Sequence, residues 1–596
     1  MTVARRVLLH AGFGLGHAFL QAWSDWRRDA SRATRLDVLA LAPNPPSAAA
    51  LRKAHLGGPL APLAGLLAER WPSMTRNLHR IGLDGGQVRL LLAPGAALDW
   101  LPELQARVDE FLIDELDFSV DPSRAPKRIA KALARLAAPG AVLRATSAAA
   151  ALRPALANAG FELDDGLTRG ALHGVYRPRF VPRSRQVASA SNGDQHACIV
   201  GAGLAGCAVA LALAEQGWSC TLVDRGVAPA TQASGNPAGL FHGVVHANDG
   251  THARLHRAAA LAARQEVQDA IDAGLATGRT DGALRLDTRG LDLAAMQAEL
   301  RRLQLPPDHV QALDAQAAST RAGLPLPHPA WYFPGGGWVQ PAALARSFLQ
   351  RAGQAAGFIA GRHVQALRRV GERWQLCDTA GEVIACAAAV VLANAADASR
   401  LAGGALGESQ TLRGQLSLYR NADAPVAQRL QLPTLPLAGS GYLLPEVEGW
   451  AVFGASSQPG DADGSIRLAD QAFNLQRLVR LSAAAVPALG LDPALLSARV
   501  AWRCQSSDRL PWVGAVPDLQ AVNSWRGDRL DTLPRQPGLW VFSALGSRGI
   551  AWSALGARLL ASRLCGTPWP LERSLADALD PGRWLVRARR RSAAAP

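Results

Sequence analysis

The chain has 596 residues, a formal charge of +15 and seven cysteines. That length calls for two or more domains, no apolar run reaches the ~18 residues of a membrane span, and the cysteines form no CxxC pair or metal-ligand spacing, which argues against a disulfide framework or a zinc site. The expectation is a soluble, cytoplasmic chain with reduced cysteines, whose excess of arginine reflects either a polyanionic partner or GC-rich coding.

The first elements lie in VLLHAGFGLGHAFLQAW, residues 7–23, a strand, a glycine loop with Gly12, Gly14 and Gly16, and a helix. Broken by glycines and histidines and lacking a small-residue cleavage site, this stretch does not read as a secretion signal. Strands are expected at Val38–Leu41, Val88–Leu92 and Phe111–Ile113, with helices over Leu60–Leu67 and Lys127–Leu136, the last followed by a Pro139-Gly140 turn into another strand. Alternating elements with a glycine turn after the first strand suit a methyltransferase-like Rossmann domain over residues 1–176.

Such a domain holds S-adenosylmethionine (SAM) at its glycine loop and grips the ribose with an acid at the tip of the second strand. Here Ala42-Pro43 stands at that tip, and Ala93–Ala96 replaces the next usual acid. Asp114, closing FLID, is the one acid left at a strand's C-terminal edge. The SAM residues are therefore Gly12, Gly14, Gly16 and Asp114, in a domain expected to be a degenerate scaffold.

Residues 177–195 are polar, rich in Ser and Pro and without hydrophobic period, and read as a linker. The chain then gives CIVGAGLAGCAVALALAEQGWSCTLVDR from Cys198 to Arg225. This is a complete dinucleotide-binding βαβ unit. Gly201 permits the tight turn, Gly203 lets the backbone approach a pyrophosphate, Gly206 lets helix pack on strand, and Asp224 stands where a carboxylate holds a ribose hydroxyl.

Downstream, Ser234-Gly235-Asn236 is a small polar loop of the kind that passes close to a pyrophosphate and flavin ring. Between His363 and Ser399 a two-stranded excursion, with turns at Gly371-Glu372 and Gly381-Glu382, returns to a buried strand over Ala389–Ala396, with Ala393 and Asn394 on the cofactor side. Gly546-Ser547-Arg548-Gly549 opens a second glycine-bounded helix, where negative charge on a reduced ring is stabilised. Two separated helix starts suit one elongated cofactor and favour FAD over NAD. The insertions Gly335–Leu349 and Leu412–Leu481 supply a covering sheet, and the basic run Arg583–Arg591 reads as a solvated tail.

In order, ASGNPAGLFHG, GGWVQPAAL, LRGQLSL, GYLLPE, WRCQSSDRLPWVGAVPD and ALGSRGIAWSALGA resemble the FAD-dependent half of the MnmC family, bifunctional enzymes of tRNA wobble-uridine modification; HAGFGLGHAFLQAW and the FLID strand resemble its methyltransferase half. The resemblance implies an α/β fold in which a methyltransferase-like Rossmann domain precedes a two-domain, glycine-oxidase-like FAD fold over 196–596. It implies FAD-dependent removal of the carboxymethyl group from 5-carboxymethylaminomethyluridine, SAM-dependent methylation as a second step, and the tRNA anticodon region as partner of a monomer that meets no membrane. It places Arg503 at the substrate carboxylate, with Tyr442 and Arg413-Gly414-Gln415 lining the same pocket. Two other readings stay open: a free amino-acid or amine oxidase with a relic N-terminal domain, and a non-catalytic flavin scaffold that binds tRNA.

Overall fold

The computed structural model describes residues 5–114, 124–146, 151–164, 171–178, 195–488 and 490–594. Two compact units result: Met1–Ser189 with Glu215–Gly217 and Ser562–Asp577, and the remainder of the chain. Most of the expected linker, 179–194, lies outside the described residues.

In the first unit β1 (Arg5–Ala11), α1 (His17–Arg28), β2 (Arg35–Ala42), β3 (His79–Leu83), β4 (Val88–Pro94), β5 (Val108–Ile113), α2 (Ala125–Leu136), β6 (Ala137–Thr146), β7 (Phe161–Leu163) and β8 (Ala171–Tyr176) build one sheet and two of its covering helices. Among the described residues the strand order is β3-β4-β2-β1-β5-β6-β8-β7. β4, β2, β1, β5 and β6 run parallel, while β3 and β8 are reversed. Period-two alternation sends Val7, Leu9 and Leu39 to the face covered by Ile129 and Leu133 of α2, and Leu8, Val38 and Ala40 to the face covered by Phe19, Leu20 and Trp23 of α1. This is the doubly wound arrangement expected of a methyltransferase-like domain. Pro139-Gly140 falls within β6 rather than ending a turn, because the strand absorbs it as an irregularity against Val108–Glu110.

The second unit opens with β9 (His196–Val200), α3 (Leu204–Ala214) and β10 (Ser219–Val223). α3 is buried along almost its whole length, as its lack of a polar face requires. There follow α4 (Thr251–Asp272), β11 (Ala283–Leu286), β12 (Ala330–Phe333), β13 (Ala356–Ile359), β14 (Ala389–Leu392), β15 (Ser409–Tyr419), β16 (Ala451–Gly454), α5 (Leu468–Leu481), β17 (Ser497–Ser506), β18 (Trp512–Pro517), β19 (Arg535–Ser543), α6 (Gly549–Cys565) and α7 (Arg583–Ala594). β13-β10-β9-β14-β19-β18 form the dinucleotide sheet, parallel except for β18. A larger mixed sheet contains β12, β11, β16 and β15, with β17 hydrogen-bonded along β15.

The excursion before β14 has three strands, Ala366–Val370, Arg373–Cys377 and Val383–Ala387, where two were expected. Its turns do fall at Gly371 and Gly381, both at positive φ. The basic run is no loose tail: it is α7, and Arg583 within it is buried.

Candidate cofactor and substrate site

The glycine loop between β9 and α3 is tight because three segments converge on it. Gly201 has φ +101°, and a Cβ there would stand 2.8 Å from the Ala393 carbonyl oxygen and 2.9 Å from Asn394 Cα. A Cβ on Gly206 would meet the Gly201 carbonyl oxygen at 1.8 Å, so only glycine lets α3 close on β9. Gly203 is different in kind: its Cβ would reach the Ser234 Oγ at 3.1 Å, on the side where the loop Ser234-Gly235-Asn236 faces the start of α3. Ser234 Oγ accepts from the Leu204 amide at 3.1 Å, while the amides of Ala202 and Gly226 donate to Asp224, each at 2.7 Å. Asp224 thus ties the turn together and, with the lone pairs left over, still suits a ribose hydroxyl.

The second helix start meets the first. A Cβ on Gly549 would lie 3.4 Å from Leu204 Cδ1, so α3 and α6 present their amide-rich ends side by side. Gly546 has φ +57°, and its amide donates to the Cys504 carbonyl at 2.8 Å, tying this turn to β17. Asn394 Oδ1, on the loop after β14, is buried with no hydrogen-bond partner among the described residues. A glycine cradle, two adjacent helix starts and an unsatisfied buried acceptor fit an elongated dinucleotide with a hydrogen-bonding ring. The residues expected at the cofactor, Gly201, Gly203, Gly206, Asp224, Ser234, Gly235, Asn236, Ala393, Asn394, Gly546, Ser547, Arg548 and Gly549, flank these strand and helix ends.

The substrate side is set by strand parity. Along β15 and β17, Leu412 is opposite Arg503, Gly414 opposite Ala501 and Leu416 opposite Arg499. Arg499, Ala501 and Arg503 therefore share one face, and Arg413, Gln415 and Ser417 point to the other. That other face packs on α5: Arg413 is fully buried and donates to Asp470 at 2.6 Å and to the carbonyls of Asp463 and Ser465, while Gln415 bonds the backbone of Arg467. Arg413 and Gln415 brace the sheet from behind and do not join the expected pocket. The residue of that motif which matters on the pocket face is Gly414, whose Cβ would stand 2.8 Å from an Arg503 Nη.

Arg503 bonds only the Ser456 carbonyl, at 3.2 Å, and its Nε is buried without a partner. Among the described residues it has no ion-pair partner; the carboxylate of Asp508, five residues on, is taken by Arg583 and Arg587. Burial lowers the Arg503 pKa, and pushes the Tyr442 phenol beside it up to about 12. Nearby, Arg477 donates to the Ala455 carbonyl at 3.0 Å. The result is a desolvated guanidinium short of an anion.

A second cationic group surrounds Arg548. Arg285 on β11, His242 and His256 all act on one another electrostatically, and His256 lies over Trp552 with ring centroids 5.2 Å apart. Burial, then Arg548, lowers the pKa of both histidines to about 3. They are neutral at physiological pH. Sequence reasoning missed Arg285, His242, His256, Arg477 and Arg499, since single residues on distant elements carry no local pattern.

In the first unit Gly12, Gly14 and Gly16 all have positive φ, and Gly14 faces open space. The loop is filled from within by Phe13, which stacks on Trp71 at 5.7 Å. Asp114 follows β5, with its amide on the Ala11 carbonyl at 3.0 Å, and burial raises its carboxyl pKa. The edge at Ala42 and Pro94 is closed by backbone and indole bonds, Gly95 N–H to the Ala42 carbonyl and Trp100 Nε1 to the Pro94 carbonyl. The glycine loop suits SAM, whereas among the described residues the ribose end shows one carboxyl, Asp114, whose pKa burial raises.

Residues 196–563 match the family model of FAD-dependent oxidoreductases, and residues 59–171 match that of an S-adenosyl-L-methionine-dependent methyltransferase. Fold and site thus define an FAD-dependent oxidoreductase joined to a methyltransferase-like domain. The chain belongs to the MnmC family: it is 43% identical over 98% of its length to the tRNA 5-methylaminomethyl-2-thiouridine biosynthesis bifunctional protein of Methylibium petroleiphilum, covering 90% of that protein, and 40% identical, with the same coverages, to that of Ralstonia nicotianae. Among solved structures, glycine oxidases from Geobacillus kaustophilus (TM-score 0.50, 23% identity, 62% of this chain and 94% of that one) and Bacillus cereus (TM-score 0.50, 20% identity, 62% and 95%) share the oxidase fold.

Proposed function

We propose that the chain modifies the wobble uridine of tRNA, oxidising the glycine-like arm of 5-carboxymethylaminomethyl-(2-thio)uridine to leave the 5-aminomethyl form. FAD supplies a two-electron acceptor for the α C–H of that arm. Loss of a hydride and the amine proton leaves a C=N bond, and water then releases glyoxylate and the aminomethyl nucleoside. Arg503 binds the arm's carboxylate through its planar fork, Gly414 leaves room for that fork, and Tyr442 closes one side of the pocket. Positioning of the C–H against the acceptor does most of the work.

The observation that carries this reading is Arg503 itself, a buried guanidinium with a bare Nε and no carboxylate of the described chain against it. A substrate carboxylate completes it. The partner is read as the tRNA anticodon region and the working form as a cytoplasmic monomer; no described helix is long and apolar enough to cross a membrane. Methylation to the 5-methylaminomethyl form would fall to the first unit, and the sparse ribose end argues that it is inefficient.

Mass analysis of wobble nucleosides after incubation with undermodified tRNA, with and without SAM, tests the proposal. Aminomethyluridine should accumulate with release of glyoxylate. An unchanged nucleoside with holoprotein would remove the tRNA reading, and bleaching of the flavin by free glycine alone would favour the amine-oxidase alternative.

A further inference from the structure

The C-terminal helix α7 carries Arg583, Arg587, Arg589, Arg590 and Arg591 and no acid. It is fixed in place by Asp508, which accepts from Arg583 at 2.7 Å and from Arg587 at 2.8 Å. Two guanidinium groups on one carboxylate leave the cluster positive. Arg589, Arg590 and Arg591 are exposed, as is Arg509, which follows Asp508 at φ +61°. His252, exposed in the first turn of α4, sits in the field of Arg509, Arg583 and Arg587 as well as Asp508.

This patch continues inward. One helical turn along α4, the His256 ring lies 6.3 Å from that of His252 and 5.2 Å from that of Trp552 of α6. His256 in turn faces Arg548 and Arg285, beside the second glycine-bounded helix start. Ring contacts therefore anchor His252, at the edge of the exposed arginine face, to the buried Trp552 of α6.

Resting on the reading of the chain as a tRNA-modifying oxidase, we propose that the exposed face of α7, with Arg509 and His252, is the docking surface for the RNA phosphate backbone. Phosphates complement an arginine face with no acid of its own, and the exposed His252 imidazole beside it is the one ring of this group open to a nucleotide. A lipid surface fits less well. The apolar residues of α7, Trp584, Leu585 and Val586, are buried or half-buried, and its exposed side offers arginines and a serine with nothing to insert into acyl chains.

The test uses holoprotein in which Arg509, Arg589 and Arg591, none of whose side chains makes a hydrogen bond or ion pair within the described chain, are changed together to Glu, with the Gln triple variant as a milder control. Flavin absorbance, melting temperature and bleaching by the isolated carboxymethylaminomethyluridine nucleoside should match the parent. Affinity for undermodified tRNA at about 0.1 M salt should fall at least about tenfold in the Glu variant, and the slope of log affinity against log salt should lose roughly two to three units, since each phosphate contact contributes about one. Unchanged tRNA affinity and slope in a variant that still bleaches would overturn the docking surface while leaving the reaction intact. So would parent-specific capture of phosphatidylserine vesicles with tRNA binding untouched. Should the Glu variant misfold, the Gln variant decides on the same readouts. If the parent binds tRNA through this face yet never oxidises it, the reaction reading fails and the surface stands.

Discussion

Arg499 holds Asn236: from β17 its Nη1 donates to the Asn236 Oδ1 at 2.7 Å, and its other Nη donates to the carbonyls of Gln232 and Thr231. The sheet that carries Arg503 is thereby tied to the loop that faces Gly203. Arg499→Ala should loosen the loop and weaken FAD binding by about tenfold, roughly the worth of one or two hydrogen bonds to a charged donor. Flavin retention on ultrafiltration measures it. Arg499→Lys, which loses the fork, should recover little, and a variant that retains FAD as the parent does would show the tie to be incidental.

The purified chain is expected to be yellow, with FAD held non-covalently, so that acid precipitation leaves the flavin in the supernatant. Gly203→Val should be colourless. Its side chain enters the space between α3 and Ser234 Oγ that a pyrophosphate would take, whereas the backbone of Gly203, which is not at positive φ, tolerates the change. A yellow Gly203→Val protein would place the pyrophosphate elsewhere.

Arg503→Lys keeps a charge but not two parallel donors. Turnover on carboxymethylaminomethyl-tRNA should drop at least about tenfold, on the order of 1.4 kcal/mol, with FAD still bound. Gly414→Ala should act in the same direction by pushing the guanidinium aside, and equal turnover in both variants would remove the pair from the site.

Methylation by the first unit should be slow. SAM affinity, measured by calorimetric titration, is expected to be much weaker than micromolar, because the tips of β2 and β4 carry no acid and burial raises the pKa of Asp114, the carboxyl that the described residues leave there. Efficient conversion of aminomethyl-thiouridine tRNA to the methylaminomethyl form would mean that Asp114 or another acid does the anchoring after all.

Asp508 gives a stability test with a definite sign. Burial pushes its pKa up, but the hydrogen bonds and charges of Arg583 and Arg587 outweigh this and hold it well below the usual carboxylate range. A depressed carboxylate stabilises above its unfolded pKa, about 4, and that stability is lost as pH falls toward the folded value. Asp508→Asn should therefore cost about 2 kcal/mol at pH 7, discounted for partial exposure, and the gap to the parent in thermal melts should narrow below about pH 4. A gap that widens in acid would contradict the assignment.

Local patterns were legible. The glycine turn after β9 and the helix start at Gly549 are short-range signals, and the structure puts them against one another through Leu204. Strand parity was not legible. Nothing within LRGQ says which face of β15 meets α5, so Arg413, Gly414 and Gln415 read alike as pocket residues, whereas only Gly414 lies on the pocket face and makes the room for Arg503. The same holds for Arg499, whose partners come from a loop far back in the chain, and for α7, whose arginines read as a tail until Asp508 supplies the tether. Pro139-Gly140 misled in the opposite direction, because a parallel strand with a bulge accommodates a pair that alone signals a turn.

The order of strands around β9 has a consequence for how the protein is made. Val200 pairs with Leu392, and Leu392 with Val541, so the cofactor's berth is closed by segments that leave the ribosome long after the glycine turn has been synthesised. Until β19 and the start of α6 emerge, the nascent oxidase has one wall of that berth and an open sheet edge, a slow, non-local topology that exposes unpaired strands. Flavin capture is then a late event in biogenesis, and a chain cut short before Gly549 should be colourless and dependent on chaperones, however intact its dinucleotide motif.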